Sequence, residues 1–314
     1  MKIIALMPVK NVAWILKTSI PQLKKFSDEI LCLDGNSEDN TVEILKSYGA
    51  KIRSQSSNEA NYSKWRNELL KWGRELGGTH FVWLDADEAF TTNFLCNFKQ
   101  TLSLMAPGEK LALEWLCLWK SSYVYRTDQS IWKHLYKDFV FCDDKISGFG
   151  DTKLHEGRTP GPNENTWKKI PLEKGAVLHF QFVPFEKFQI KQAFQRCREL
   201  ALGSTNARRI NNKYSPTLDS NTVQTEKIPE EWLGGIENID NLSNLNEIYY
   251  KEDIMKYFEE KGILFFEPLE IWHVPGFRKM FIEKVGREPT VKRYPRLLIK
   301  LNDIKNKLKL LKFK

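Results

Sequence analysis

His80-Phe81-Val82-Trp83-Leu84-Asp85-Ala86-Asp87-Glu88 is the stretch on which the reading of this chain turns. Phe81 to Leu84 are apolar without alternation, the pattern of a strand buried on both faces. The run stops at three carboxylates, Asp85, Asp87 and Glu88. In open α/β sheets the ligand crevice lies just beyond the carboxyl ends of the strands. Two aspartates separated by one small residue can surround a hard cation there, and Mg²⁺ or Mn²⁺ commonly shares such oxygens with a substrate diphosphate. The plainer reading is a strand end followed by a solvated acidic turn, so the flanking sequence has to decide.

Upstream, strand and helix patterns alternate. Ile3 to Val9 reads as a buried strand, and Ala13 to Phe26 as a helix with a break at Pro21. Glu29 to Leu33 is a second strand, ending in the polar turn Asp34-Gly35-Asn36-Ser37-Glu38-Asp39-Asn40-Thr41. Thr41 to Tyr48 is helical and Gly49 closes it. Lys51 to Ser54 is a third strand, and Asn58 to Leu76 a longer helix closed by Gly77-Gly78. This order predicts parallel strands joined by right-handed crossovers. Neither G-x-G-x-x-G nor G-x-x-x-x-G-K-[ST] is present, so dinucleotide-binding and P-loop readings are weak. Asp34, at the end of the second strand, sits where a carboxylate can accept a hydrogen bond from a base or ribose, or merely from its own turn.

Downstream, Leu111 to Trp119 reads as a strand within an aromatic-dense stretch containing Trp115, Trp119, Tyr123, Tyr125, Trp132 and Tyr136. Most of these are expected in the core, although aromatic faces also bind sugar rings. In Lys153-Leu154-His155-Glu156-Gly157-Arg158 the carboxylate of Glu156 could take a proton from an attacking hydroxyl. Lys153 or Arg158 could steady an anionic group. Surface salt-bridging is the plainer reading of both. Gly175 to Phe182 reads as a strand carrying His179, which is either a core side chain or a further metal ligand beside the Asp-Ala-Asp turn. Pro184 to Leu202 is a helix with Phe188, Phe194, Cys197 and Ala201 inward and Lys187, Lys191, Arg196 and Arg198 outward. Asn206 to Asn246 reads as a long excursion or linker. Ile248 to Lys261 is a helix, and Ile263 to Phe266 and Glu270 to Val274 are short strands or packed turns. Tyr294 to Lys314 has heptad-spaced Leu and Ile among lysines. It reads as a basic amphipathic helix that either lies on an anionic bilayer or docks on its own domain.

The totals set outer limits. With 314 residues and 41% hydrophobic content the chain is long enough for more than one domain and is globular. No apolar run reaches bilayer length, and the start has no cleavage site of a signal peptide. Five scattered cysteines without C-x-x-C argue against disulfides or structural zinc and for a reducing compartment. A net charge of +8 allows anionic partners. Because the charge concentrates at the tail and no RNA- or DNA-binding motif appears, nucleic acid is the weakest of them.

Met7-Pro8-Val9-Lys10-Asn11, Leu33-Asp34-Gly35-Asn36-Ser37, Arg66-Asn67 and Trp83-Leu84-Asp85-Ala86-Asp87-Glu88 resemble, in order and spacing, the first half of the family-2 glycosyltransferases of the GT-A fold. Leu154-His155-Glu156 and Leu178-His179-Phe180 are similar to bacterial lipopolysaccharide-core transferases. The resemblance implies an α/β fold of GT-A type: a mostly parallel nucleotide-binding sheet flanked by helices, a mixed acceptor-side half and a helical C-terminal extension. It implies residues 1–105 as the nucleotide-sugar half, 106–203 as the acceptor side and 204–314 as the extension. Pro8, Asn11, Asp34, Arg66 and Asp85 would bind the nucleotide-diphosphate sugar. Asp85 and Asp87, with His179, would hold Mg²⁺ or Mn²⁺, and Glu156 would be the general base of an inverting transfer. The acceptor would be a saccharide or a lipid-linked sugar, used in the cytoplasm or at the inner membrane face. A nucleotidyltransferase using free NTP, or a non-catalytic nucleotide-sugar-binding module, remain the alternatives.

Overall fold

The computed structural model describes residues 1–55, 62–128, 134–150, 157–161, 167–218, 223–244 and 249–293. The chain divides into two compact units, Met1–Pro184 with Thr222–Leu245, and Phe185–Asn221 with Asn246–Lys314.

The first unit is built on strands β1 (Ile3–Val9), β2 (Glu29–Asp34), β3 (Lys51–Ser54), β4 (His80–Trp83), β5 (Glu88–Phe90), β6 (Lys110–Cys117), β7 (Val124–Arg126), β8 (Tyr136–Cys142), β9 (Trp167–Lys169), β10 (Ala176–His179) and β11 (Thr225–Lys227). Helices α1 (Ala13–Phe26), α2 (Thr41–Ser47) and α3 (Tyr62–Glu75) make the crossovers, and α4 (Thr92–Leu95) and α5 (Phe98–Ser103) follow β5. The main sheet runs β3-β2-β1-β4-β8-β6-β10-β5, with β9 on β6. β1, β2, β3 and β4 are mutually parallel, as are β6, β9 and β10. β8 is antiparallel to both β4 and β6, and β5 to β10. This is a mostly parallel, helix-flanked α/β sheet, as expected.

Continuous apolar runs explain the centre of the sheet. Every residue of β4 and β6 is buried, His80, Lys110 and Glu114 included, and the other residues of both strands are apolar, as a strand covered on both faces requires. Helix α1 continues through Pro21 without breaking. On the other side of the sheet, α3 approaches closely because Gly73 lacks a side chain: a Cβ there would lie 2.4 Å from Cε1 of Phe81.

Pro8 locates the opening of the sheet. Carbonyls of Ile3 and Val9 accept from Asp28 and Gly35 on the β2 side, whereas the carbonyl of Lys2 accepts from Thr79 and His80 on the β4 side. Backbone polar groups alternate along a strand, so the nitrogen of Pro8 faces β4. Pairing with β4 ends at Leu6↔Trp83. A residue without an N–H therefore stands just where its neighbour has left the sheet.

The second unit comprises α6 (Phe185–Ala201), α7 (Ala207–Tyr214), α8 (Tyr249–Lys261), α9 (Ile263–Phe266) and α10 (Phe277–Val285). These close around Cys197, Ile210, Ile254, Phe258, Phe266 and Phe277. Several expectations are refined or corrected here. Of the short strand or packed turn expected at Ile263–Phe266, the turn forms, as a single helical turn; a four-residue apolar run has no period to distinguish the two. Gly175–Phe182 is a strand only through His179 and then tightens into a 3₁₀ turn. Of the long excursion or linker expected over residues 206–246, the described part is an ordered excursion: α7 is capped by Asn206 accepting from Arg209 N at 3.1 Å, and β11 pairs with β7. Arg196 is fully buried rather than outward, donating to the carbonyl of Tyr214 at 3.1 Å and to Thr217 at 3.3 Å. The basic segment 294–314 lies outside the described residues.

Candidate active site

The carboxyl ends of β1, β2 and β4 lie on one rim, because the three strands are parallel and in register (Val9↔Asp34, Leu6↔Trp83). Two loops on this rim are laced together by the polar turn after β2. Val12, at the start of α1, supplies no side-chain cap. Instead Asn11 N donates to Ser37 Oγ at 2.9 Å, Val12 N to Thr41 Oγ1 at 2.8 Å and Ala13 N to Asp39 Oδ2 at 3.1 Å. Asn11 Oδ1 in turn accepts from Glu38 N at 2.8 Å. Asn11 and Asn36 both adopt left-handed backbone, with φ 53° and 59°, which asparagine tolerates better than most side chains.

Asp34 is 5% exposed and accepts from Ser37 Oγ at 2.6 Å and from Ser37 N. It closes its own turn, as the plainer reading had it. A carboxylate has about four acceptor sites, so this does not exhaust its capacity.

The acidic turn after β4 is held from below by Glu88. Both oxygens of Glu88 are doubly engaged. Oε1 accepts from Trp115 Nε1 and Arg158 Nη2, each at 2.7 Å. Oε2 accepts from Arg158 Nη1 at 2.6 Å and from the backbone N of Asp85 at 2.8 Å. The second contact of Arg158 Nη2 is Asp85 Oδ2 at 2.9 Å. Burial alone would lower the Arg158 pKa, but Asp85 and Glu88 outweigh it and push it up. Arg158 is thus bound to carboxylates here, not presented to an anionic ligand.

Asp87 faces the other way. Its carbonyl accepts from Phe180 N at 2.8 Å, and its Oδ2 lies 3.5 Å from Nε2 of His179. The register explains the meeting of residues far apart in sequence: β5 and β10 pair with Glu88 opposite His179.

A divalent cation fits the Asp87–His179 pair by donor chemistry. One hard carboxylate oxygen and one imidazole nitrogen suit Mn²⁺ and accept Mg²⁺, and the other ring nitrogen of His179, Nδ1, is buried without a hydrogen-bond partner among the described residues. The expected trio of ligands is not assembled. Asp85 turns to Arg158, and among the described residues no three His, Cys, Asp or Glu side chains converge in a way that could hold a metal.

Arg66 is 8% exposed, with its guanidinium 4.8 Å from the Trp83 ring and 5.7 Å from that of Phe149. It donates to the carbonyl of Gly157. Its neighbour Asn67 exchanges two hydrogen bonds with the backbone of Phe149, at 2.9 and 3.1 Å. The Arg-Asn pair therefore secures the segments at 149 and 157 to α3. Glu156 lies outside the described residues.

Two residues were missed in the sequence. Trp115 is in the core, as expected of most of the aromatics around it, but it also contacts Glu88 and His179. Lys137 drew no attention, yet its Nζ sits 3.2 Å from the centroid of the Trp115 ring. Burial and the nearby Arg158 charge lower the Lys137 pKa to about 8. Strand parity could have put Trp115 and His179 on a common face, but only once β6 and β10 were known to be neighbours.

No helix among the described residues is long and apolar enough to cross a membrane. The chain is 36% identical over 76 residues to glucosyl-3-phosphoglycerate synthase of Petrotoga mobilis, 23% of each chain. Among solved structures, S. aureus TarS matches 69% of this chain and 43% of its own, with 15% identity and a TM-score of 0.41. Mannosyl-3-phosphoglycerate synthase of Rubrobacter xylanophilus matches 37% and 40%, with 22% identity and a TM-score of 0.30. The chain thus spans under a quarter of the curated relative and under half of each of these structures. The sequence profile of glycosyl transferase family 2 matches residues 4–103, which include the rim and the Asp-Ala-Asp turn. Over residues 4–103 the chain is therefore similar to glycosyl transferase family 2.

Proposed function

We propose that this protein transfers a glycosyl group from a nucleotide-diphosphate sugar to an acceptor hydroxyl, with a divalent cation bound by Asp87 and His179. The observation that carries the reading is their 3.5 Å approach at the carboxyl end of a sheet whose first four strands lie within the family match. When bound, the cation would neutralise the charge that develops on the leaving diphosphate. Glu88 is saturated by Arg158 and Trp115, so it holds the turn rather than a ligand. The reading gives Asp34 the nucleoside, through its remaining acceptor capacity, with Pro8 and Asn11 flanking it. Asp85, tied to Arg158 on one oxygen, keeps the other for a hydroxyl of the donor.

The acceptor hydroxyl must lose a proton as it attacks the anomeric carbon. The reading assigns that proton to Glu156, supported by its place in the sequence two residues before Arg158, and takes the transfer as inverting. A saccharide or lipid-linked acceptor at an anionic membrane surface belongs to the same reading, supported by the Leu and Lys spacing of residues 294–314.

The test is differential scanning with UDP-, dTDP- and GDP-sugars, each with and without Mn²⁺, followed by turnover with the best binder. A ligand that binds only the native state raises the melting temperature. A rise that needs both sugar nucleotide and Mn²⁺, and release of nucleoside diphosphate, support the proposal. Consumption of free NTP instead, or no response to any sugar nucleotide, refutes it.

A further inference from the structure

A metal-bound imidazole ordinarily has its plane fixed by a hydrogen bond from the other ring nitrogen to a carboxylate or carbonyl. His179 has no such bond among the described residues: its Nδ1 is buried without a partner there. The ring is clamped by aromatic contacts instead. Trp115 stacks on it with centroids 4.1 Å apart and planes at 24°, and Phe182 meets it edge-on at 5.3 Å and 89°.

Trp115 is itself unusually constrained. Its N–H is bound by Glu88 at 2.7 Å. Lys137 from β8 and His179 from β10 approach its ring from the strands on either side of β6. Pairing puts Cys117 beside His179, and Trp115 two residues earlier on the same face. The two ends of the Asp85-Ala86-Asp87 turn are thereby joined through one chain of contacts: Asp85 to Arg158, Arg158 to Glu88, Glu88 to Trp115, Trp115 to His179, and His179 to Asp87.

We propose that Trp115 is a positioning residue for the cation, fixing the plane of His179 by stacking where a hydrogen bond would otherwise do so. The inference rests on the assignment of Asp87 and His179 as cation ligands. An imidazole ligand favours Mn²⁺ over Mg²⁺, which prefers oxygen. Loosening the ring should therefore cost Mn²⁺ more than Mg²⁺, whereas a general weakening of the fold would lower both alike.

The experiment titrates Mn²⁺ against the full chain with UDP present, counting free Mn²⁺ by electron paramagnetic resonance, and repeats it with Mg²⁺ as competitor. Trp115→Met fills much of the space without a ring plane, and Trp115→Phe keeps a ring but loses the N–H. His179→Ala sets the limit, and a melting curve without metal establishes that each variant is folded. Trp115→Met is expected to weaken Mn²⁺ about tenfold or more, the order seen when the group orienting a ligand is lost, and to shrink the Mn²⁺ preference toward that of His179→Ala. Trp115→Phe is expected to stay within about threefold of the parent, well below that range.

Unchanged Mn²⁺ affinity in Trp115→Met overturns the proposal while leaving the ligand assignment intact. Equal loss in Trp115→Phe and Trp115→Met also overturns it, since the bond to Glu88 rather than the stack would then be responsible. Mn²⁺ binding that ignores His179→Ala overturns the ligand assignment and this inference together.

Discussion

Arg158 grips Glu88 with two parallel hydrogen bonds, 2.6 Å from Nη1 to Oε2 and 2.7 Å from Nη2 to Oε1. Planar forks of this kind are the strongest ion-pair geometry available to side chains. The pair is buried, and removing one partner leaves an uncompensated charge. Arg158→Met is therefore expected to cost about 3–5 kcal/mol of folding stability, the range for breaking a buried pair. Arg158→Met combined with Glu88→Gln keeps an acceptor for Trp115 and removes the orphan charge, and is expected to recover more than half of that loss. Urea denaturation of the parent and both variants decides the matter. Equal stability of the single and double variants would mean that Glu88 is not the residue Arg158 serves.

The two aspartates of the turn should behave differently. Asp87 approaches His179, while Asp85 is held by Arg158 at 2.9 Å. Asp87→Asn keeps the shape but weakens a hard-cation ligand, so Mn²⁺-dependent turnover is expected to fall by about 10²-fold or more, the scale of removing one preorganised electrostatic contact to the transition state. Asp85→Asn is expected to leave Mn²⁺ affinity within a few fold and to act on the donor instead. A metal titration on both variants checks this, and the same loss of Mn²⁺ affinity in both would show that Asp85 leaves Arg158 to join the cation.

How much of this was readable beforehand depends on whether the determinant was local. The strands β1, β2 and β4 were legible because continuous apolar runs are local signals, as is the Gly that follows α2 and α3, and their parallel order follows from the alternation of strand and helix. The Asp34 and Asp85–Glu88 turns were legible for the same reason. The partnership of Glu88 with Arg158 was not, since it spans 70 residues and needs Arg158 on the same rim. Arg196 was misread because helical position counts only apolar residues as inward, and says nothing of an arginine that buries itself on carbonyl and hydroxyl acceptors. Trp115 was hidden by its abundance of aromatic neighbours.

Gly73 offers a test of the packing between α3 and the sheet. In an exposed helix, Ala in place of Gly gains about 1 kcal/mol. Here the added Cβ would stand 2.4 Å from Phe81 Cε1, and Phe81 is stacked on Phe141 at 5.3 Å, so the ring has little room to move. Overpacking costs about 1–3 kcal/mol and is expected to win. Gly73→Ala should lower stability in urea. Gly77→Ala tests a separate effect, because a Cβ there meets nothing within 4 Å but φ is 80°: its loss would come from backbone strain. A stabilised Gly73→Ala would show that α3 can shift outward freely.

Lys137 supplies the pH dependence. Burial, aided by the Arg158 charge, lowers its pKa from 10.5 to about 8, against the opposing pull of Glu88 and Asp85. The unfolded chain therefore holds this proton up to a higher pH than the folded one. Between about 8 and 10.5 the unfolded state binds more protons, and stability rises with pH wherever that is so. Below pH 8 both states are protonated, and the cost of the buried ammonium is fully present. Lys137→Met has similar reach and no charge, so it should lack this rise. The difference in unfolding free energy, variant minus parent, is expected to be largest at pH 7 and to shrink steadily toward pH 10. Parallel stability curves for the two proteins across that interval would mean that the ammonium on the Trp115 ring is as well solvated in the fold as in the open chain.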